Sequence, residues 1–242
     1  MLSSPRNPLL KDVRRAAERG ILTSDGYAVA EGLHLFEEAL KSGLEIGAVL
    51  VSEDAAPVAA SVVYTLPKAL FREIATTEST QGVITLVRPR QFALGDLCNG
   101  TIMLLDGIQD PGNAGAIVRA TEAFGGAGVV FLKSTVSPFN PKCLRAAAGS
   151  LFRLPFVNHP STEDLVRALE GVALYAAMPG ARLSIGEVDW SRPSAVVIGS
   201  EGRGVSAEWS ARATGVRIPT VGVESLNAAV AAAVILYEAL RR

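Results

Sequence analysis

Three short segments gather the side chains with chemistry to offer: Asp110-Pro-Gly-Asn113 with Arg119 six positions on, Gly199-Ser-Glu-Gly202, and Glu224-Ser-Leu-Asn227. Together they hold amides, carboxylates, two hydroxyls and a guanidinium, groups that bind and orient a polar ligand rather than attack it. Each follows a strand-like apolar run. The last is the clearest, because Ile218-Pro-Thr-Val-Gly-Val runs through a polar loop directly into the alanine-rich stretch from Ala228. A helix that starts at a loop presents unpaired N–H groups, which suit an anion. Glycine and proline in such a loop hold the backbone irregular and leave its N–H and C=O groups free. Each residue also has a plainer role: Asn113, Ser225 and Asn227 as helix caps, Glu201 as a solvated turn residue, Ile218 and Leu226 as core.

Other chemistries lack their residues. The cysteines Cys98 and Cys143 form no CxxC, and His34 and His159 are the only imidazoles, so a disulfide framework and a zinc site both lack ligands. Both cysteines read as ordinary buried residues. No Ser/His or Cys/His nucleophile pair is evident. Gly199-Ser-Glu-Gly-Arg-Gly204 is not GxGxxG, and no GxxxxGK[ST] occurs, which argues against a dinucleotide-dependent oxidoreductase or a kinase. The net charge of −1 gives no global support for nucleic-acid binding. Arg6, Lys11, Arg14, Arg15 and Arg19 cluster against Asp12 and Glu18, and two readings stand for them, a solvated helix face or an RNA contact. The longest apolar run, Ala228 to Leu236, falls far short of the roughly 20 residues that span a bilayer. The N-terminus lacks the apolar stretch of a signal peptide. A cytoplasmic protein without membrane contact is expected.

The elements that must position these loops follow from apolar periodicity. Over the first 90 residues the pattern predicts helices 8–19, 30–42 and 67–75 and strands 46–51 and 82–87. Arg88-Pro-Arg-Gln-Phe-Ala-Leu-Gly95 breaks the pattern and reads as a linker. Beyond it the pattern predicts strands 101–106, 128–132, 154–157, 172–177, 195–199 and 215–218, with helices 113–124, 141–149, 162–169, 206–212 and 225–241 between them. That alternation, with near-continuous apolar strands, implies an α/β fold: a mostly parallel sheet with helices on both faces. Such sheets bind ligands at the carboxyl ends of their strands, where all three loop segments fall. Two domains are expected, a small α/β unit over 1–95 and a larger one over 96–242.

In this order and spacing the three segments resemble the SpoU/TrmH family of RNA 2′-O-ribose methyltransferases. Glu31-Gly-Leu-His-Leu-Phe36 and Thr80-Gln-Gly-Val-Ile84 resemble the small substrate-binding domain of some members. The resemblance implies a C-terminal trefoil knot, which patterning alone would not suggest, together with a homodimer, S-adenosylmethionine as cofactor and no metal. It implies that Met178, Gly199, Ile218 and Leu226 contact the cofactor. It assigns Arg119 to activating the ribose hydroxyl, Asn113 to orienting that arginine or the substrate, Glu201 to accepting hydrogen bonds from a ribose, from Arg119 or from Asn227, and Ser225 and Asn227 to positioning substrate. A guanidinium has a pKa above about 12 and is a poor base, so a substrate phosphate must help it. Arg203 and Arg217 flank the site as candidate phosphate contacts. The implied activity is methyl transfer to a ribose 2′-hydroxyl of structured RNA, with large-subunit rRNA favoured by the separate N-terminal domain. A tRNA methyltransferase and a non-catalytic RNA-binding or ribosome-assembly factor of the same fold are the alternatives.

Overall fold

The computed structural model describes residues 1–97 and 100–241; Cys98 lies outside them. The chain divides into two compact units, Met1–Gln91 with Ser137–Arg153, and Phe92–Val136 with Leu154–Arg242. The division at 91/92 falls in the Pro-containing stretch read as a linker. Ser137–Arg153, which the pattern alone places in the second stretch, groups with the first unit.

In the first unit α1 (Pro8–Arg19) starts where the Asn7 side chain accepts Leu9 N–H at 2.9 Å, and it ends at Gly20 with φ 62°. The chain continues as β1 (Ala28–Glu31), α2 (Leu33–Lys41), β2 (Ile46–Ser52), β3 (Val63–Leu66), α3 (Lys68–Arg72) and β4 (Val83–Val87). The strands form one sheet in the order β1-β4-β2-β3, with β2 and β3 parallel and the other pairs antiparallel. Successive residues of β2 point to opposite faces: Leu50 joins Leu10, Val13 and Phe71 in one core, while Val49 and Val51 pack with Phe36 and Val83 in the other. Two sides to cover explain why β2 is apolar without alternation.

The helix predicted from residue 30 begins instead at Leu33. Ala30 and Glu31 close β1, and Gly32 turns the chain at φ 111°, a left-handed conformation that glycine adopts without strain. A buried glutamate at the end of a four-residue strand concealed β1 from the apolar pattern. Part of the basic cluster is committed to ion pairs, Arg14 with Glu73 at 2.6 Å and Arg15 with Asp12, which favours the solvated-face reading for those two.

Helix Pro141–Ala147 and the residues after it belong to this unit through charge pairs. Arg145 Nη1 lies 3.6 Å from Glu31 Oε2, and Arg153 Nη1 lies 2.7 Å from Glu38 Oε2. Glu31 is 2 % exposed. Burial pushes its pKa up, but hydrogen bonds from Thr76, Thr77 and Thr80 outweigh burial and hold it below the ordinary 4.5. Its folded-state pKa is therefore depressed, so its contribution to stability is complete above about pH 4.5 and is lost as pH falls through the folded value. Glu31→Ala should cost about 3 kcal/mol at pH 7 by leaving buried partners unpaired, and should flatten the acid limb of the stability curve. Thermal melts from pH 3 to pH 7 check both; an unchanged acid limb would remove Glu31 from that role.

The second unit holds β5 (Thr101–Asp106), α4 (Pro111–Ala123), β6 (Gly128–Phe131), β7 (Phe156–Asn158), α6 (Thr162–Ala168), β8 (Ala173–Ala177), β9 (Leu183–Ser184), β10 (Ser194–Gly199), α7 (Ala207–Ser210), β11 (Thr214–Arg217) and α8 (Ala228–Leu240), α5 being the Pro141–Ala147 helix. Its seven strands run in the order β7-β6-β5-β10-β8-β11-β9, and every neighbouring pair is parallel. Ile102, Leu104 and Val197 face Leu165 of α6 and Trp209 of α7. Ile117 of α4 and Ile235 of α8 are fully buried, and both helices pack on the sheet and on each other. This is an α/β fold with a parallel sheet covered on both faces. Cys143 in α5 is fully buried, and burial pushes its thiol up to about 12, which leaves no thiolate at neutral pH. Among the described residues no helix is long and apolar enough to cross a membrane.

Candidate active site

Because the strands are parallel, the carboxyl ends of β5, β8, β10 and β11 reach one edge of the sheet, and the loops leaving them must share that edge. A cavity of about 200 Å³ opens there. Met178, Gly199, Ile218 and Leu226 all line it, as do Glu201 and Ser225. Its walls are largely apolar, from Ala177, Ile198, Val216 and Ala228, and its acidic side chains are Glu201 and Glu224.

Gly199 lets this cavity exist. The loop after β10 folds back, with Gly204 N–H donating to Ser200 O at 2.8 Å, and passes directly over Gly199. A β-carbon at Gly199 would overlap the backbone of Gly204 and Val205. The loop is also tied from outside: Asp106, the last residue of β5, accepts Ser206 N–H at 2.7 Å. Thr135 braces the turn after β5, accepting Gly107 N–H at 3.0 Å and donating to Leu105 O at 2.6 Å. Sequence reading passed over Asp106 and Thr135, since nothing in the chain signals a partner found only across the sheet.

Beside the cavity three of the expected residues form one hydrogen-bonded set. Helix α4 begins at Pro111, two residues before the predicted start, because Asp110 rather than Asn113 caps it: Asp110 Oδ1 accepts Asn113 N–H at 2.9 Å. The Asn113 side chain is thereby released from capping. Its Nδ2 donates to Glu201 Oε1, and its Oδ1 accepts from Asn227 Nδ2 at 3.1 Å. Asn227 caps α8, its Oδ1 accepting from Ala229 N–H at 2.9 Å and Val230 N–H at 3.3 Å. One amide thus caps the helix with its oxygen and bonds Asn113 with its nitrogen, so capping leaves the nitrogen available to the cluster. The predicted helix start at 225 moves to Ala228, and Ser225 stays in the loop.

Arg119 stands apart from this set. It is exposed on α4, and among the described residues it has no ion-pair or hydrogen-bond partner. Six residues at about 100° each turn it roughly 120° around the helix from Asn113. Arg203 lines a neighbouring cavity of about 300 Å³ with Asp106 and Lys133, which shares Ser200 and Gly204 with the first.

Asn227→Ala removes both the cap and the link to Asn113. It should cost about 1 kcal/mol of stability through the lost cap and lower turnover further than that loss explains. Rates measured well below the melting transition separate the two effects, and an unchanged rate would remove Asn227 from the site.

A parallel α/β domain with a cavity and a polar cluster at its strand ends has the layout of a ligand-binding site. The comparisons with known proteins sharpen that class. Residues 100–237 match the SpoU rRNA Methylase family, and residues 7–85 match the MRM3-like substrate binding domain. The chain is 32 % identical over 244 residues to the 23S rRNA (guanosine(2553)-2'-O)-methyltransferase RlmP of Bacillus subtilis, covering 98 % of this chain and 97 % of that one. An AdoMet-bound rRNA methyltransferase from Sinorhizobium meliloti superposes with a TM-score of 0.84 at 28 % identity, over 99 % of this chain and 97 % of that one. A structure described for the 2-OH methylation of C/U34 on tRNA matches at 30 % identity and a TM-score of 0.51, but spans 58 % of this chain and 94 % of its own. This chain belongs to the SpoU rRNA methylase family.

Proposed function

We propose that this protein transfers a methyl group from S-adenosylmethionine to a ribose 2′-hydroxyl of large-subunit rRNA. The observation that carries the reading is the cavity at the ends of β8, β10 and β11, bordered by the Asn113–Glu201–Asn227 set. The rRNA assignment is supported by the end-to-end match to RlmP, whereas the tRNA-associated structure spans 58 % of this chain. The residues present fit the cofactor. Apolar walls and the backbone at Gly199, Ile218 and Leu226 would hold its adenosine, Met178 would close over it, and Glu201 and Glu224 bring negative charge toward a cation.

When bound, the cofactor supplies a sulfonium methyl group for in-line displacement by an oxygen. The protein's part is alignment and the handling of one proton. Well-oriented reactants account for about 7–11 kcal/mol of barrier reduction, and the Asn113–Glu201–Asn227 set is rigid enough to orient a ribose. Ser225, on the cavity wall, offers a hydroxyl to the same substrate. Arg119, exposed on α4, holds the phosphate that receives or relays the 2′-hydroxyl proton, since a guanidinium alone is a poor base.

The reading includes a homodimer through the second unit. Val230, Tyr237 and Leu240 are 49 %, 51 % and 56 % exposed on α8, and Val230 and Tyr237 are one heptad apart on the same face. An apolar stripe of this kind suits a partner helix. Gel filtration at micromolar concentration should give twice the 25.3 kDa chain mass, and Val230→Asp with Tyr237→Arg should give a monomer; a monomeric parent protein would overturn the assignment. The knotted path implied by the resemblance belongs to the same reading, supported by the insertion of β10 between β5 and β8.

The test is transfer of labelled methyl to unmodified large-subunit rRNA and to unmodified tRNA in parallel. Label on rRNA, mapped to a ribose, is expected. Label on tRNA alone would move the substrate to the alternative. Cofactor binding without label on either RNA would point to an assembly intermediate as substrate, and absence of cofactor binding would favour a non-catalytic RNA-binding factor.

A further inference from the structure

The segments Glu31-Gly-Leu-His-Leu-Phe36 and Thr80-Gln-Gly-Val-Ile84 meet at one cavity of the first unit. Its volume is about 330 Å³, and Leu35 is the one large apolar side chain among its lining residues. Arg145 of α5 completes it. We propose that this cavity binds a backbone phosphate of the substrate RNA, with Arg145 as the cation that holds it. The inference rests on the RNA reading above.

The formal charges of Glu31 and Arg145 cancel, but the way each is held leaves donors rather than acceptors for a ligand. Glu31 is turned inward and already satisfied, accepting Thr76 N–H at 2.7 Å and Thr77 Oγ1–H at 2.6 Å. Arg145 donates from Nη1 to Thr76 Oγ1 at 2.6 Å and sits 3.6 Å from Glu31, so its head is fixed by groups that do not cover it. Its remaining donors have no acceptor among the described residues, and 28 % of its side chain is exposed. A half-buried, pre-oriented guanidinium loses less freedom on gripping phosphate than a solvated lysine would. Gln81 adds a second donor: its Oε1 is occupied by Leu33 N–H at 3.0 Å, which turns its NH₂ group outward. Ser79 contributes a hydroxyl.

Arg145 comes from the middle of the chain, inside the span matched to the methylase family, yet it lies in the unit whose residues 7–85 match the substrate-binding model. Substrate grip by the first unit therefore depends on a residue that residues 1–91 alone do not contain.

The experiment uses the full chain and measures rRNA affinity by filter binding, in a series of salt concentrations, beside the methyl-transfer kinetics. Arg145→Gln should weaken RNA binding roughly tenfold and reduce the slope of log K against log salt by about one phosphate contact. The kcat value and S-adenosylmethionine affinity should stay within about twofold, the cavity being separate from the cofactor site. Gln81→Glu guards against misfolding, since it keeps an acceptor for Leu33 N–H and adds repulsion; it should weaken RNA binding similarly with an unchanged melting temperature. Arg145→Lys should restore the salt slope and part of the affinity. Unchanged RNA affinity in Arg145→Gln and Gln81→Glu overturns the inference, and so does inorganic phosphate binding that Arg145→Gln abolishes without affecting RNA, which would mark a free-anion site. Failure of the methyl-transfer reading is distinct: the parent protein would then label no RNA, whatever the binding series shows.

Discussion

Arg119→Ala should lower methyl transfer by roughly 10²–10⁴-fold, the range for loss of a group that handles a proton, while S-adenosylmethionine binding stays within a few fold. The separation is expected because Arg119 does not line the cofactor cavity and is exposed on α4, without a partner among the described residues. No ion pair or buried contact is broken by its removal, so stability should change by no more than about 0.5 kcal/mol. Arg119→Lys keeps the charge but loses the planar fork that grips a phosphate bidentately, and should recover only part of the rate. Single-turnover rates and a cofactor titration on the same preparations decide the matter. Joint loss of both functions would mean that Arg119 supports the fold, and undiminished turnover would remove it from the mechanism.

Gly199→Ala should abolish cofactor binding outright, by more than about 100-fold, the equivalent of some 2.7 kcal/mol. The added methyl group would overlap the backbone of Gly204 and Val205. Backbone has no alternative rotamer, so the whole Ser200–Gly204 loop must shift. That loop also carries Glu201, hydrogen-bonded to Asn113, and is tied to Asp106 through Ser206 N–H. The substitution therefore disturbs the cavity wall and the Asn113–Glu201–Asn227 set together, unlike Arg119→Ala. By contrast Gly202→Ala, where a β-carbon meets open space, should leave the titration nearly unchanged. Calorimetric titration of both variants checks the pair; equal behaviour would mean that the loop yields easily and that Gly199 is not the cause of the cavity.

Much of the parallel sheet was legible because its strands are buried on both faces. The runs 102–105, 128–132 and 195–199 hold no polar side chain, and β5, β6 and β10 cover nearly the predicted residues. The short or half-polar strands were not legible. β1 ends in a buried glutamate, β3 is partly exposed, and β9 has two residues, so none of them carries a pattern that a window can detect. The start of α4 was displaced because Asp110 caps it, and that of α2 because β1 runs to Glu31 and Gly32 turns the chain.

For the candidate site, the sequence by itself determined which three loops carry the polar side chains and at what spacing, because residue types and local spacing are properties of the chain. The tertiary structure decided which side chains meet. Asn113, Glu201 and Asn227 are brought together only by the order β5-β10-β8-β11, which places the ends of distant strands side by side. The same holds for Arg145 and Glu31, more than a hundred positions apart. A hydrogen bond or an ion pair acts over about 3–4 Å, so its partners are chosen by the path of the backbone through space and leave no mark on either segment alone.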